Sequence, residues 1–162
     1  PNALGIPTST LQGNIYYHLG LTYYIQKNYH KARYAYEKCL KLAENPDSYV
    51  AAANWLYVIY LHLGQDRRAG KLLITIKDDM KLIENHSYHT LLKLHQGKIN
   101  PVHLEEEIMN GESLSNTTLA FGLGNYYFIN GDKVKAQELF KNITKGNQWS
   151  AFGYIVAESR LK

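Results

Sequence analysis

The sequence predicts an all-α fold of antiparallel helix pairs stacked side by side, and three observations predict it. Apolar residues recur at helical intervals, as at Tyr16, Leu19, Gly20 and Tyr23, which stand at i, i+3, i+4 and i+7. Turn signals interrupt those patterns at Lys27-Asn28, Gly64-Gln65, Gly97-Lys98 and Gly131-Asp132. The turns are spaced by about 33 to 37 residues, the period of two-helix solenoid repeats that bury their apolar faces against their neighbours.

The first helix is expected from Asn14 to Gln26, with Ser9 and Gln12 placed as a capping box at its start. The second runs from Tyr29 to about Ala43, with Ala32, Tyr36, Cys39 and Leu40 inward. Asn45-Pro46 ends it, because the residue before a proline avoids helical geometry. Gly20 and Ala32 are small where the two helices should approach most closely, and Tyr16, Tyr23, Tyr29 and Tyr36 fill the wider spaces. The pattern returns at Leu56, Tyr60, Gly64, Ala69, Leu73 and Ile76. A weaker copy has Tyr88, Leu91, Leu94 and Gly97, and a fourth has Leu123, Gly124, Tyr127, Gly131, Ala136, Phe140 and Ile143. In the tail, "NQWSAFGYIVAESRLK", Trp149, Phe152, Ile155 and Val156 share one helical face, with Ser150, Glu158, Arg160 and Lys162 toward water. Such a polar outer side closes a repeat array. The expected organisation is one domain over 1–162, with a linker at 1–9, repeats at about 12–46, 49–80, 83–110 and 115–146, and a capping helix at 148–161.

Composition excludes several classes. Apolar residues make up 45% and charged residues 20% of the 162, which supports a sizeable core rather than disorder. No apolar run approaches the roughly 20 residues of a membrane-spanning helix. "PNALGIPTST" lacks the basic start and apolar stretch of a signal peptide, and Pro1 is no natural initiator, so residues are expected to have been lost upstream. A soluble protein of either the cytoplasm or the periplasm fits. The net charge of +4 lies in the first half and is too diffuse for the dense basic stripe of a nucleic-acid binder. Cys39 stands alone, so neither an internal disulfide nor a cysteine-based zinc site is formed. Tyrosine is over-used, 14 against 4 phenylalanines, so many rings must pack while their hydroxyls find polar partners.

The repeat resembles the tetratricopeptide repeat (TPR), whose signature is a large residue, Leu-Gly, an aromatic, a turn, then Ala, an aromatic and a small residue. The first repeat carries it at Tyr16, Leu19, Gly20, Tyr23, Tyr29, Ala32, Tyr36 and Cys39, and the fourth at Leu123, Gly124, Tyr127, Ala136 and Phe140. The second has Tyr57 in place of the glycine. The third departs most, with Thr90, Val102 and Glu106 for glycine, alanine and aromatic. Segments such as "NWLYVIYLHLG", "DDMKLIENHSYHTLL" and "QWSAFGYIVAE" look like the C-terminal part of a group of bacterial TPR proteins, where other repeats come before. The resemblance implies a right-handed superhelix of helix pairs, an α-α solenoid with a C-terminal cap, and a non-catalytic interaction module that uses no cofactor.

In such arrays the first helix of each pair lines a concave face. Projected here, that register gives Tyr17, His18 and Tyr24 from the first repeat, and Asn54, Trp55, Val58 and His62 from the second. It gives Tyr88 and His95 from the third, and Phe121, Asn125 and Phe128 from the fourth. Aromatics with scattered amides and imidazoles suit an extended or helical peptide. The TPR clamp for a terminal carboxylate needs Lys, Asn and Arg, whereas the corresponding positions here are Tyr17, Leu21, Trp55, Glu84 and Tyr88, so that partner class is rejected. The expected partner is a protein or peptide, without nucleic acid or membrane insertion. The alternative is a structural segment that closes a longer array, or a regulatory domain of a larger protein. The first helix has no cap before it, and a homodimer through that exposed face is a further expectation.

No residue set calls for catalysis. His86 and His89 share a face but His95 lies on the far side, and no HExxH pattern is present, so no metal site is expected. "GLGN" at Gly122 has neither a preceding strand nor a third glycine. Cys39 and His30 fall on opposite faces of their helix. Glu105 to Glu107 splay over several faces, a solvated pattern. "NHS", "NTT" and "NIT" match the glycosylation sequon, which matters only in a eukaryotic secretory setting.

Overall fold

The computed structural model describes residues 4–109, 114–146, 148–149 and 151–161. Among these the regular structure is entirely helical: α1 (Leu11–Ile25), α2 (Tyr29–Lys41), α3 (Pro46–His62), α4 (Asp66–Ile74), α5 (His86–His95), α6 (Pro101–Met109), α7 (Leu114–Ile129), α8 (Lys133–Lys145) and α9 (Phe152–Leu161). The fold is an all-α, TPR-like helical solenoid. The chain divides into two compact units, Pro1–Leu92 and Lys93–Lys162. In the first, α1 packs on α2, α2 on α3 and α3 on α4. In the second, α6 packs on α7, α7 on α8, and α9 lies against both α7 and α8.

The same turn joins the helices of all four pairs. Lys27, Gly64, Gly97 and Gly131 each adopt a left-handed conformation, with φ of 58°, 65°, 73° and 91°. At each, the turn residue donates its N–H three residues back and its successor donates five back. At Lys27 these bonds are 2.9 Å to Tyr24 O and 2.9 Å from Asn28 to Tyr23 O. At Gly131 they are 3.2 Å to Phe128 O and 2.9 Å from Asp132 to Tyr127 O. This is the Schellman ending, which glycine adopts without the steric penalty that a Cβ brings. Asn28 and Asp132 then cap α2 and α8 by accepting from the N–H of Lys31 and Lys135.

Within a pair, glycine sets the closest approach. A Cβ on Gly20 would stand 2.6 Å from the Tyr36 ring, and one on Gly124 would stand 2.5 Å from the Phe140 ring. The partner of Gly20 is thus the aromatic of the second helix. α9 uses the same device, since a Cβ on Gly153 would meet the Thr117 carbonyl at 2.6 Å.

Several local expectations need correction. Thr10, not Ser9, caps α1, accepting from Gly13 N at 3.1 Å. Asn45 caps α3 through Ser48 N and Pro46 occupies its first turn, so this pair of residues opens the third helix as well as closing the second. The buried side of α1 is Gly20, Leu21 and Tyr24, whereas Leu19 is exposed and Tyr16 and Tyr23 are only half-buried. In the tail, Trp149 precedes α9 and is exposed, and Ile155 is exposed too. Gly153, Val156 and Ala157 are the buried residues there. Ser150 and Lys162 lie outside the described residues.

Candidate binding surface

In the first unit, the first helices of three successive pairs meet through aromatic side chains. Trp55 of α3 donates its indole N–H to the Tyr17 hydroxyl of α1 at 2.9 Å. Tyr17 is in turn hydrogen-bonded to the Tyr88 hydroxyl of α5 at 2.7 Å. Tyr36 of α2 lies beneath, stacked on Trp55 with centroids 6.2 Å apart and edge-on to Tyr17 at 5.6 Å. Tyr24 meets Trp55 edge-on at 5.1 Å, and its hydroxyl is 3.3 Å from His62 Nε2. His62 stacks on Tyr29 at 4.5 Å. Burial raises the pKa of Tyr17, Tyr36 and Tyr88, reinforced at Tyr17 and Tyr36 by neighbouring phenols, so all three stay protonated. These three phenols are neutral members of the network.

The twelve projected residues divide by exposure. In the first unit, Tyr24, Asn54, Trp55 and Val58 are buried and form a floor rather than a contact surface. Tyr17, His62 and Tyr88 are half-buried above them, and His18 is exposed, its Nδ1 donating to Asn14 O at 2.7 Å. In the second unit, Phe121 and Asn125 are buried, with Phe121 stacked on Phe140 at 5.6 Å. Phe128 and His95 are half-buried. The Arg160 guanidinium lies 5.5 Å from the Phe128 ring, and His95 sits 5.4 Å from Tyr126. Burial lowers the His95 pKa to about 4, so the ring is neutral at pH 7.

The residues weighed for chemistry are otherwise engaged. His89 is buried and its Nε2–H donates to the Lys77 carbonyl at 2.8 Å. The Cys39 thiol is buried, donates to Gly13 O at 3.5 Å, and is pushed up to about 11 by burial. Among the described residues no three His, Cys, Asp or Glu side chains gather as a metal site. No helix among them is long and apolar enough to cross a membrane.

Two features escaped the sequence reading. Asp47, in the first turn of α3, is 1% exposed and accepts N–H bonds from Ile83, Glu84 and Asn85. It pins the segment that leads into α5. Second, Tyr60 donates to Glu37 at 3.0 Å and Tyr127 donates to Glu105 at 3.3 Å, each with a cation over its ring. The signal was available in the repeat register: a tyrosine four residues before the left-handed turn and a cation four after it.

The tetratricopeptide repeat family model matches residues 13–46, which are α1, its left-handed turn, α2 and the Asn45-Pro46 junction. Over this stretch the chain is similar to the tetratricopeptide repeat family. The matched stretch holds Gly20 and Tyr36, whose contact sets the helix spacing, and Gly124 with Phe140 repeats that contact outside the match. No curated protein and no solved structure matches the chain.

Proposed function

We propose that this protein is a non-catalytic module that binds a peptide or protein segment on the face lined by the first helices of its pairs. Tetratricopeptide repeats generally mediate protein–protein interaction and are scaffolds rather than enzymes. One observation carries the choice of face: Tyr17, Trp55 and Tyr88, from the first helices of three successive pairs, are locked together by hydrogen bonds. Trp55 and Tyr24 lie buried beneath, with Tyr17, Tyr88 and His62 half-buried above them and His18 exposed. Tyr17 and Tyr88 offer ring edges and faces, and His18 and His62 offer imidazoles. With no lysine or arginine among them, the surface fits a segment recognised by aromatic and backbone contacts rather than by a terminal carboxylate.

Burial decides the experiment. Trp55→Ala and Tyr24→Ala would remove core rings and confuse binding with unfolding, whereas His18 is exposed and on the same helix as Tyr17. A random dodecapeptide display library is selected on the wild-type chain, and the enriched peptides are measured by fluorescence anisotropy on wild type and His18→Glu. The expected result is at least about tenfold weaker binding to the variant, equivalent to roughly 1.4 kcal/mol, with an unchanged helical spectrum. Equal affinity for both chains, or no enrichment, rules out this face as the site.

A further inference from the structure

A tyrosine, a glutamate and a cation tie each of two helix pairs to the pair before it. In the first unit, Tyr60 of α3 donates to Glu37 of α2 at 3.0 Å. Arg68 of α4 bonds the same carboxylate at 3.0 Å and lies 5.8 Å from the Tyr60 ring. In the second unit, Tyr127 of α7 donates to Glu105 of α6 at 3.3 Å. Lys135 of α8 stands 3.6 Å from that carboxylate and 4.8 Å over the Tyr127 ring. In both cases the tyrosine precedes the left-handed glycine by four residues and the cation follows it by four. The first pair holds two of the three members at those positions. Lys31 of α2 lies 5.5 Å from the ring of Tyr23 of α1, four residues to either side of Lys27. The carboxylate from a preceding second helix has no counterpart among the described residues.

Apolar packing tells the same story. Leu19, Leu56 and Leu123 each stand eight residues before their turn. Leu56 and Leu123 are 1% and 0% exposed, while Leu19 is 36% exposed. Ile15 is 57% exposed, although Ala52, its equivalent on α3, is fully buried. α1 carries no Asp, Glu, Lys or Arg, so covering α1 desolvates no charge of its own, and Lys31 of α2 is left to find a carboxylate.

We propose that the outer side of α1 and α2, formed by Ile15, Leu19, Tyr23 and Lys31, docks a further helix pair of the same repeat type. Its second helix carries a glutamate that closes the Tyr23–Lys31 couple as Glu37 closes Tyr60–Arg68. A second copy of this chain is a poorer fit, because its own Glu37 is already held by Tyr60 and Arg68. An α1-to-α1 contact would bring Lys31 no carboxylate. This surface is separate from the peptide-binding face and does not depend on that reading.

The test supplies such a pair. Residues 10–44 are duplicated in tandem ahead of Thr10 of the full chain, so that the added helices bring their own glutamate at the position of Glu37 and Thr10 caps the junction. Urea unfolding is followed for the original and extended chains, each as wild type, Leu19→Ser and Lys31→Gln in the original pair. The extended chain is expected to unfold at higher urea. Leu19→Ser should cancel most of that gain while changing the original chain little. Lys31→Gln should lower the folding constant of the extended chain about two- to fivefold, and that of the original chain by less than half as much. An extension without gain, or variants that act equally in both chains, overturns the proposal. So does sedimentation showing that the original chain dimerises and that Leu19→Glu abolishes the dimer, since a second copy would then be the occupant.

Discussion

Asp47 offers the most demanding test of how this fold holds its helix pairs together. The carboxylate sits in the first turn of α3 and accepts from Ile83 N at 3.0 Å, Glu84 N at 2.9 Å and Asn85 N at 2.8 Å. The Asn85 side chain returns a bond to the Asp47 carbonyl at 3.2 Å. Hydrogen bonds to a charged group contribute about 1.5–3 kcal/mol each, and they are not additive when they share one acceptor. Removing the acceptor also leaves three backbone N–H groups facing a void. Asp47→Ala should therefore cost about 3–4 kcal/mol, a drop of two to three decades in the folding constant. Asp47→Asn keeps the shape but points an amide at donors, and should cost nearly as much. Urea unfolding at pH 7, followed by helical circular dichroism, reads both. Burial raises the Asp47 pKa, but the three N–H donors, helped by His86, outweigh it, and the group ends below its ordinary 3.8. The stabilisation is thus fully present above the unfolded value of about 3.9 and is lost as pH falls through the lower folded value. The gap between wild type and Asp47→Ala should therefore narrow at acid pH. A cost under about 0.5 kcal/mol at pH 7, or a gap that does not narrow in acid, would refute the reasoning.

Two further substitutions probe single features. Lys27 occupies the left-handed turn position that is glycine in the other three pairs, and Lys27→Gly should raise stability by about 0.5–1 kcal/mol through relief of the Cβ clash, measured as a higher urea midpoint. The Tyr36 hydroxyl is buried without a hydrogen-bond partner among the described residues, so Tyr36→Phe should be neutral or stabilising by about 1 kcal/mol, and a loss of stability would show that the hydroxyl is bonded.

The pairing of helices was legible because its causes are local. Helical apolar spacing, a glycine at the left-handed turn and a glycine opposite an aromatic all act within one hairpin, and Gly20 with Tyr36 or Gly124 with Phe140 can be read at fixed separations. The second pair shows the same rule with sizes exchanged: Tyr57 stands where glycine is found elsewhere, and Leu73 stands where the aromatic does. The period places Tyr17, Trp55 and Tyr88 on one side of the first helices, and their side chains are hydrogen-bonded to one another there. The burial of Trp55 leaves no mark in that period, because the rings that cover it come from other helices.

Local pattern thus determined that the chain forms hairpins and where each one turns. Tertiary structure alone decided which side of each helix is covered. An amphipathic period says that a helix has an apolar face, but not which neighbour meets it. Leu19 and Leu56 hold the same place in the repeat and differ in burial because, among the described residues, α2 packs on α3 while no such helix covers the corresponding side of α1. Asp47 is buried for a similar reason: its donors arrive from residues 83–85, more than thirty positions along the chain. Contacts over that separation leave no periodic trace, since what fixes them is the meeting of two segments in space.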